Sequence, residues 1–354
     1  MTPTASPAAS GKPVYYPGIQ DLRGWAALCV VLYHTHVLFR KDKYFGVDMF
    51  WGFFEFGHRG VDLFFVISGF LMAMLTHEPA QKRQPGRFLL ARARRIYIPY
   101  LPVLAVLSSA CLLSRNICPP AYAFDVKTML MNVFIVPRED LNTFVPVVAW
   151  TLAHEIFFYL MTFVSLLFLG VGRIVFFAWL AASTVISLAG IELPFPVSFV
   201  FSPYNMAFGL GFLAFKLNHA YREHIPVRAC LWTGATGFLV LGCIESFWGE
   251  PAGRLTGVYF VAAFFVASFL LVLGFLSRPA SWIRPLGNAS YSIYLVHYPL
   301  LVVLCMLARR FLGSAVPATP LFALVAVLAL AGGGLYYLLV ERPGLRLFGR
   351  RLDS

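Results

Sequence analysis

The sequence predicts an all-α, polytopic membrane bundle of about ten transmembrane helices, with both termini in the cytoplasm. Three observations carry this expectation: charge is scarce, apolar runs recur, and Lys and Arg are unevenly spread. The 354 residues are 59% hydrophobic and 12% charged, whereas soluble domains carry about 25% charged residues. Apolar runs near the length of a bilayer span recur from end to end. They are continuous rather than alternating, which excludes an outer-membrane barrel.

The spans are read at roughly 21–39, 60–76, 96–115, 149–169, 174–190, 203–217, 229–246, 256–276, 288–308 and 319–340. No repeat or low-complexity block interrupts them, so residues 19–345 read as one domain. Residues 1–18 are polar and rich in Pro, Ala and Ser. They lack the features of a signal peptide and read as a disordered cytoplasmic tail. Residues 346–354 read as a short basic tail on the same side.

Lys and Arg give the direction. The loop after the second span holds Lys82, Arg83, Arg87, Arg92, Arg94 and Arg95 against Glu78 alone. With that loop inside, most of the 28 Lys and Arg lie on the cytoplasmic side. The net charge of +12 therefore reads as positive-inside bias, joined by anionic lipid or an anionic cosubstrate, and not as a nucleic-acid surface. Segment 40–58 is then external and aromatic, either an interfacial belt or a lid that stacks on a sugar. Segment 116–148 is also external, and its apolar part suits a piece folded back on the bundle.

The six cysteines have no metal-like spacing and read as small buried hydrophobes, so no metal is expected. Cys111 and Cys118 fall near the external end of one span, though nothing in the sequence requires a disulfide.

Several polar groups interrupt the apolar runs. In the first span, Arg23 and His34 are separated so that a helix offsets them by only about 20° and roughly 16 Å. They share one face, with Arg23 toward the cytoplasm and His34 toward the outside. His36 points to another face. Arg92 and Arg95 open the third span three residues apart, a spacing that aims two guanidiniums together. That arrangement suits phosphate, and an ordinary positive-inside cluster looks the same.

Asp62 lies at the start of the second span within Gly60-Val61-Asp62-Leu63-Phe64-Phe65. An acid there is either a functional group or a structural partner for Arg or His. Ser68 and Gly69 suit close helix packing rather than nucleophilic attack. Glu155 follows Trp150-Thr151-Leu152-Ala153-His154 in the fourth span and needs a cation, a donor or a proton. His297 sits in Tyr291-Ser292-Ile293-Tyr294-Leu295-Val296-His297-Tyr298-Pro299, as a site residue or a satisfied packing histidine.

These pieces, in this order, resemble the membrane-bound acyltransferase family 3, and within it the exopolysaccharide O-acetyltransferases of Gram-negative bacteria. The resemblance covers about 18–345 and rests on Arg23…His34, Gly60 to Phe70, Arg92 to Arg95, Trp150 to Tyr159 and Ser290 to Pro299. It implies transfer of an acyl group, usually acetyl from acetyl-CoA, to a carbohydrate hydroxyl. The acceptor would be a lipid-linked or nascent surface polysaccharide at the outer face of the bacterial inner membrane.

The resemblance makes His34 the catalytic histidine, with Arg23 its motif partner, and brings Arg92 and Arg95 to the CoA phosphates. Asp62 or Glu155 would orient His34 or bind the sugar, and Trp150 and His297 are further substrate-binding candidates. A polysaccharide-precursor transporter without acyl chemistry would share the span count and the buried charges. It would leave unexplained an Arg pair aligned with an Arg–His span.

Overall fold

Each apolar run folds as a long helix in the computed structural model, which describes residues 15–77, 84–113, 125–251, 253–312 and 316–349. The helices are α1 (Pro17–Arg40), α2 (Gly60–His77), α3 (Pro85–Leu113), α4 (Trp150–Leu167) and α5 (Val171–Leu188). They continue as α6 (Tyr204–Tyr221), α7 (Val227–Trp248), α8 (Arg254–Phe275), α9 (Ser290–Phe311) and α10 (Ala318–Tyr336). Ten helical stretches among the described residues are long and apolar enough to cross a membrane, and no strand occurs there.

Two boundaries differ from expectation in ways that matter for the site. Helix α3 starts at Pro85 rather than near 96, so the Arg-rich stretch is helical and continuous with the span. Proline suits a helix start because its missing N–H is not needed there. The same reason lets α1 begin at Pro17, inside the segment expected to be tail. The rest of that tail, residues 1–14, and residues 350–354 lie outside the described residues.

Helices α2 and α6 approach backbone to backbone. A Cβ at Gly211 would come within 1.9 Å of the Val66 carbonyl oxygen, and one at Gly69 within 2.1 Å of that of Phe208. Small residues permit this approach where no hydrophobic force drives helices together in lipid. The packing role expected of Gly69 is therefore observed. Beside this seam Phe158 of α4 stacks on Phe208, with centroids 3.8 Å apart.

The start of α1 marks one end of the bundle, which also gathers Arg87, Arg92, Arg94 and Arg95 of α3; it is called the basic end here. Arg94 Nη1 donates to the Phe348 carbonyl at 2.9 Å, tying α3 to the short terminal helix Arg342–Gly349. At the opposite end, segment 41–59 forms two short 3-10 turns, Met49–Gly52 and Glu55–Arg59. Its rings partly pack inward: Phe54 stacks on Phe322 of α10, and Phe56 meets Phe238 of α7. Trp51 stays 86% exposed.

The described part of the segment before α4, residues 125–148, does fold back. Its short helix Val126–Val133 carries Asn132, fully buried. Tyr100 of α3 donates to the Asn132 carbonyl at 2.8 Å, and Asn132 Oδ1 accepts from the Val145 N–H at 2.8 Å. Asp125 caps that helix by accepting from the Thr128 N–H at 2.8 Å, a bond that holds its carboxyl below the ordinary carboxylate range. Cys111, near the end of α3, is disulfide-bonded, and Cys118 lies outside the described residues.

Candidate active site

A partly open cavity lies between α1, α2, α3, α4 and α9. Arg23 comes from α1, Arg92 and Arg95 from α3, and Glu155 and Tyr159 from α4. The helical spacing of Arg92 and Arg95 does bring both to one wall. Tyr159 donates to Glu155 one turn away.

Sequence reasoning missed a second carboxylate at this site. Beyond α10 the chain makes a single π-helical turn, Tyr337–Glu341. It leaves Glu341 only 2% exposed, accepting from Ser292 Oγ at 2.5 Å. Glu341 and Glu155 both act electrostatically on Arg95 and Arg23. Three guanidiniums against two carboxylates leave one positive charge in excess. The Nε–H of Arg92 is buried without a hydrogen-bond acceptor, a costly state unless a ligand supplies one. An anion such as a phosphate fits both features.

Toward the opposite side the lining includes Val61, Phe64, Thr151 and Tyr294, and the rings of Phe64 and Tyr294 meet at 5.9 Å. Tyr294 is pinned there: Thr151 Oγ1 donates to its hydroxyl at 3.0 Å, and the hydroxyl donates to the Val148 carbonyl at 3.3 Å. Its ring lies 5.7 Å from His297, whose ring lies 4.9 Å from His34. Arg23 thus lines the cavity, and His34, on the same helix, stands past its far wall.

His34 Nδ1 is 3.0 Å from the Val30 carbonyl oxygen and 3.2 Å from His297 Nε2. Tyr33 and Tyr298 present ring edges to it at 4.8 Å and 5.3 Å. Neither Asp62 nor Glu155, the expected orienting acids, takes that place. Glu155 belongs to the arginine cavity. Asp62 is buried with its Oδ2 3.6 Å from Arg59 Nη1.

Arg59 in turn bonds Glu245 through two nitrogens, at 3.0 Å and 2.7 Å, and also bonds Glu250. His58, Glu245 and Glu250 bring ligand-type atoms within 4.8 Å of one another, but the Arg59 guanidinium already bonds both carboxylates. His36 is fully buried on another face, its Nε2 3.4 Å from Glu55 and 3.6 Å from Asp48. Trp150 packs against Tyr204 and His154 rather than lining the cavity.

Glu341 and Glu245 both had a legible signal: each is an acid at the end of an apolar run. Their partners lie far away in sequence, on α9 and in segment 41–59.

The acyltransferase domain model Acyl_transf_3 matches residues 16–338. The chain belongs to that acyltransferase family. It is 30% identical to the exopolysaccharide production protein ExoZ of Rhizobium meliloti (strain 1021), covering 83% of this chain and 91% of the relative. It is 28% identical to the putative membrane-bound transacylase BcsY of Komagataeibacter xylinus, covering 92% and 82%. Similarity to the putative peptidoglycan O-acetyltransferase YrhL of Bacillus subtilis (strain 168) is 25% identity, over 96% of this chain and 57% of that relative. No solved structure matches the chain. The family and the ten apolar helices together make the protein a multi-pass membrane acyltransferase.

Proposed function

We propose that this acyltransferase moves an acyl group, acetyl first among them, from acyl-CoA at the basic end to a carbohydrate hydroxyl at the opposite end. The membrane is the bacterial inner membrane, with the basic end and both termini in the cytoplasm. The observation that carries the reading is one cavity with surplus arginine charge at one end and the His34–His297 pair just past the other. The positive-inside rule favours a cytoplasmic basic end. A disulfide-bonded Cys111 at the other end of α3 suits an oxidising compartment there.

In this reading Arg92, Arg95 and Arg23 hold the CoA phosphates, and the uncharged arm extends toward Tyr294. His34 serves as general base on the acceptor hydroxyl, or first takes the acyl group itself; both need an unprotonated ring nitrogen. Segments 40–58 and 116–148 are where acceptor choice resides, and Asp62 and Trp150 are candidates for contacting the sugar. The relatives named for exopolysaccharide production and peptidoglycan O-acetylation support a carbohydrate acceptor.

The test is purified protein in liposomes, given acetyl-CoA and the host's surface-polysaccharide fraction. CoA release and O-acetyl incorporation are expected together, and both should vanish in His34→Ala. Movement of the polysaccharide without CoA release would replace this reading with a transporter.

A further inference from the structure

The contacts around His34 and His297 favour one placement of their protons. A carbonyl oxygen only accepts, so a ring nitrogen facing one is favoured to carry hydrogen. His297 Nδ1 lies 2.7 Å from the Tyr294 carbonyl and 3.2 Å from that of Ile293. Neutral His297 therefore holds its proton on Nδ1 and a lone pair on Nε2. His34 Nδ1 lies 3.0 Å from the Val30 carbonyl, which favours a proton there, and the lone pair of His297 Nε2 adds the second acceptor that holds it. The two rings then meet as donor and acceptor at 3.2 Å: the Nδ1–H of His34 faces the Nε2 lone pair of His297. The single Nδ1–H of His34 is then shared between the Val30 oxygen and the His297 lone pair, and no two lone pairs face each other. Moving the His34 proton to Nε2 would leave its Nδ1 lone pair against both an oxygen and a nitrogen lone pair.

We propose that His297 is a positioning residue that locks His34 in the Nδ1–H tautomer, leaving His34 Nε2 as the reactive nitrogen. This inference rests on the acyl-transfer reading above. His297 suits the task because it is fully buried on α9, and its Nδ1 is tied to its own helix. Its Nε2 is thereby aimed at α1 by the helix–helix packing. The substrate-binding role expected from sequence gives way to one that acts through another side chain.

With His34 as base, the step balances without another group. The acceptor hydroxyl gives its proton to His34 Nε2 as its oxygen bonds the thioester carbon. The carbon–sulfur bond breaks, and the departing CoA sulfur takes the proton from Nε2. The imidazolium that exists in between keeps its Nδ1–H held by Val30 and His297.

The experiment compares His297→Met, His297→Gln and His34→Ala in liposomes with acetyl-CoA and the host polysaccharide fraction. Methionine fills the space without a comparable acceptor. His297→Met should lower kcat on the order of tenfold to a hundredfold, with KM for acetyl-CoA unchanged. Glutamine places an amide oxygen near the lost nitrogen and should recover most of that loss. Nitrogen-15 NMR of the His34 ring, which needs no substrate, should show mainly Nδ1–H in the unmodified protein and more Nε2–H in His297→Met.

Equal losses in the Met and Gln variants would overturn the proposal, since a packing role predicts them. So would wild-type kcat or an unchanged His34 tautomer in His297→Met. Activity surviving in His34→Ala would instead overturn the acyl-transfer role of His34, which separates the two failures.

Discussion

Glu341 accepts a hydrogen bond from Ser292 at 2.5 Å, joining the turn after α10 to α9 beneath the arginine cavity. Its charge also acts on Arg95 and Arg23. Glu341→Gln keeps an oxygen for Ser292 but removes that charge. Three guanidiniums then face Glu155 alone. Removing one partner from a buried charged set is destabilising by up to about 3–5 kcal/mol, and Glu155 moderates this. The detergent-solubilised variant should melt below the unmodified protein, and coenzyme A should recover more of its melting temperature. Its phosphates would supply the missing negative charge. Equal coenzyme A shifts in the two proteins would remove Glu341 from the cavity's charge balance.

Arg92 and Arg94 make a controlled pair on one helix. Arg92 lines the cavity and keeps a buried Nε–H without an acceptor. Arg94 points to the Phe348 carbonyl instead. Lysine has no Nε–H and no planar fork. Arg92→Lys should therefore raise KM for acetyl-CoA about tenfold, which corresponds to about 1.4 kcal/mol, with kcat little changed. Arg94→Lys should leave both constants near the unmodified values. Steady-state kinetics in liposomes decide it, and a reversed ranking of the two variants would move the phosphate site away from Arg92.

Much of this arrangement is legible in the sequence because the bilayer imposes simple rules. Helix count follows from apolar run length, and the shared helix face of Arg23 and His34 follows from helical period. What period cannot give is partnership between helices. The partner of His34 is His297, far along the chain, whereas sequence favours an acid such as Glu155 for that role. Glu155 and Asp62 have their cations elsewhere, as depth and rotation within the bundle dictate. Helix α3 reads short in the sequence because its first turns are polar, although Pro85 starts a continuous helix.

The seam between α2 and α6 makes a stability prediction independent of chemistry. A leucine at 211 would meet the Val66 carbonyl, a backbone atom that cannot rotate aside. Overpacking a tight contact costs about 1–3 kcal/mol and sometimes more. Gly211→Leu should lower the melting temperature and the yield of folded protein. Gly334→Leu should have little effect, because a Cβ added there would meet nothing within 4 Å. If both glycines tolerate leucine equally, the two helices are not in backbone contact.

The pair Arg59–Glu245 offers an asymmetric test. Both side chains are 6% exposed. Glu245→Gln leaves Arg59 facing Glu250 and Asp62, so its charge stays compensated. Arg59→Met leaves Glu245, Glu250 and Asp62 with His58 as the nearest remaining cation source. Losing a buried charge's partner costs about 3–5 kcal/mol, so Arg59→Met should be the more destabilising single change. Replacing both, as Arg59→Met with Glu245→Gln, removes one charge of each sign and should cost less than the sum of the single changes. Thermal unfolding of the four proteins in one detergent gives the coupling. Additive losses would mean that Arg59 and Glu245 are neighbours without interacting, leaving the aromatic contacts and the Ser246 hydrogen bonds to Phe53 and Phe56 to hold segment 41–59 to α7.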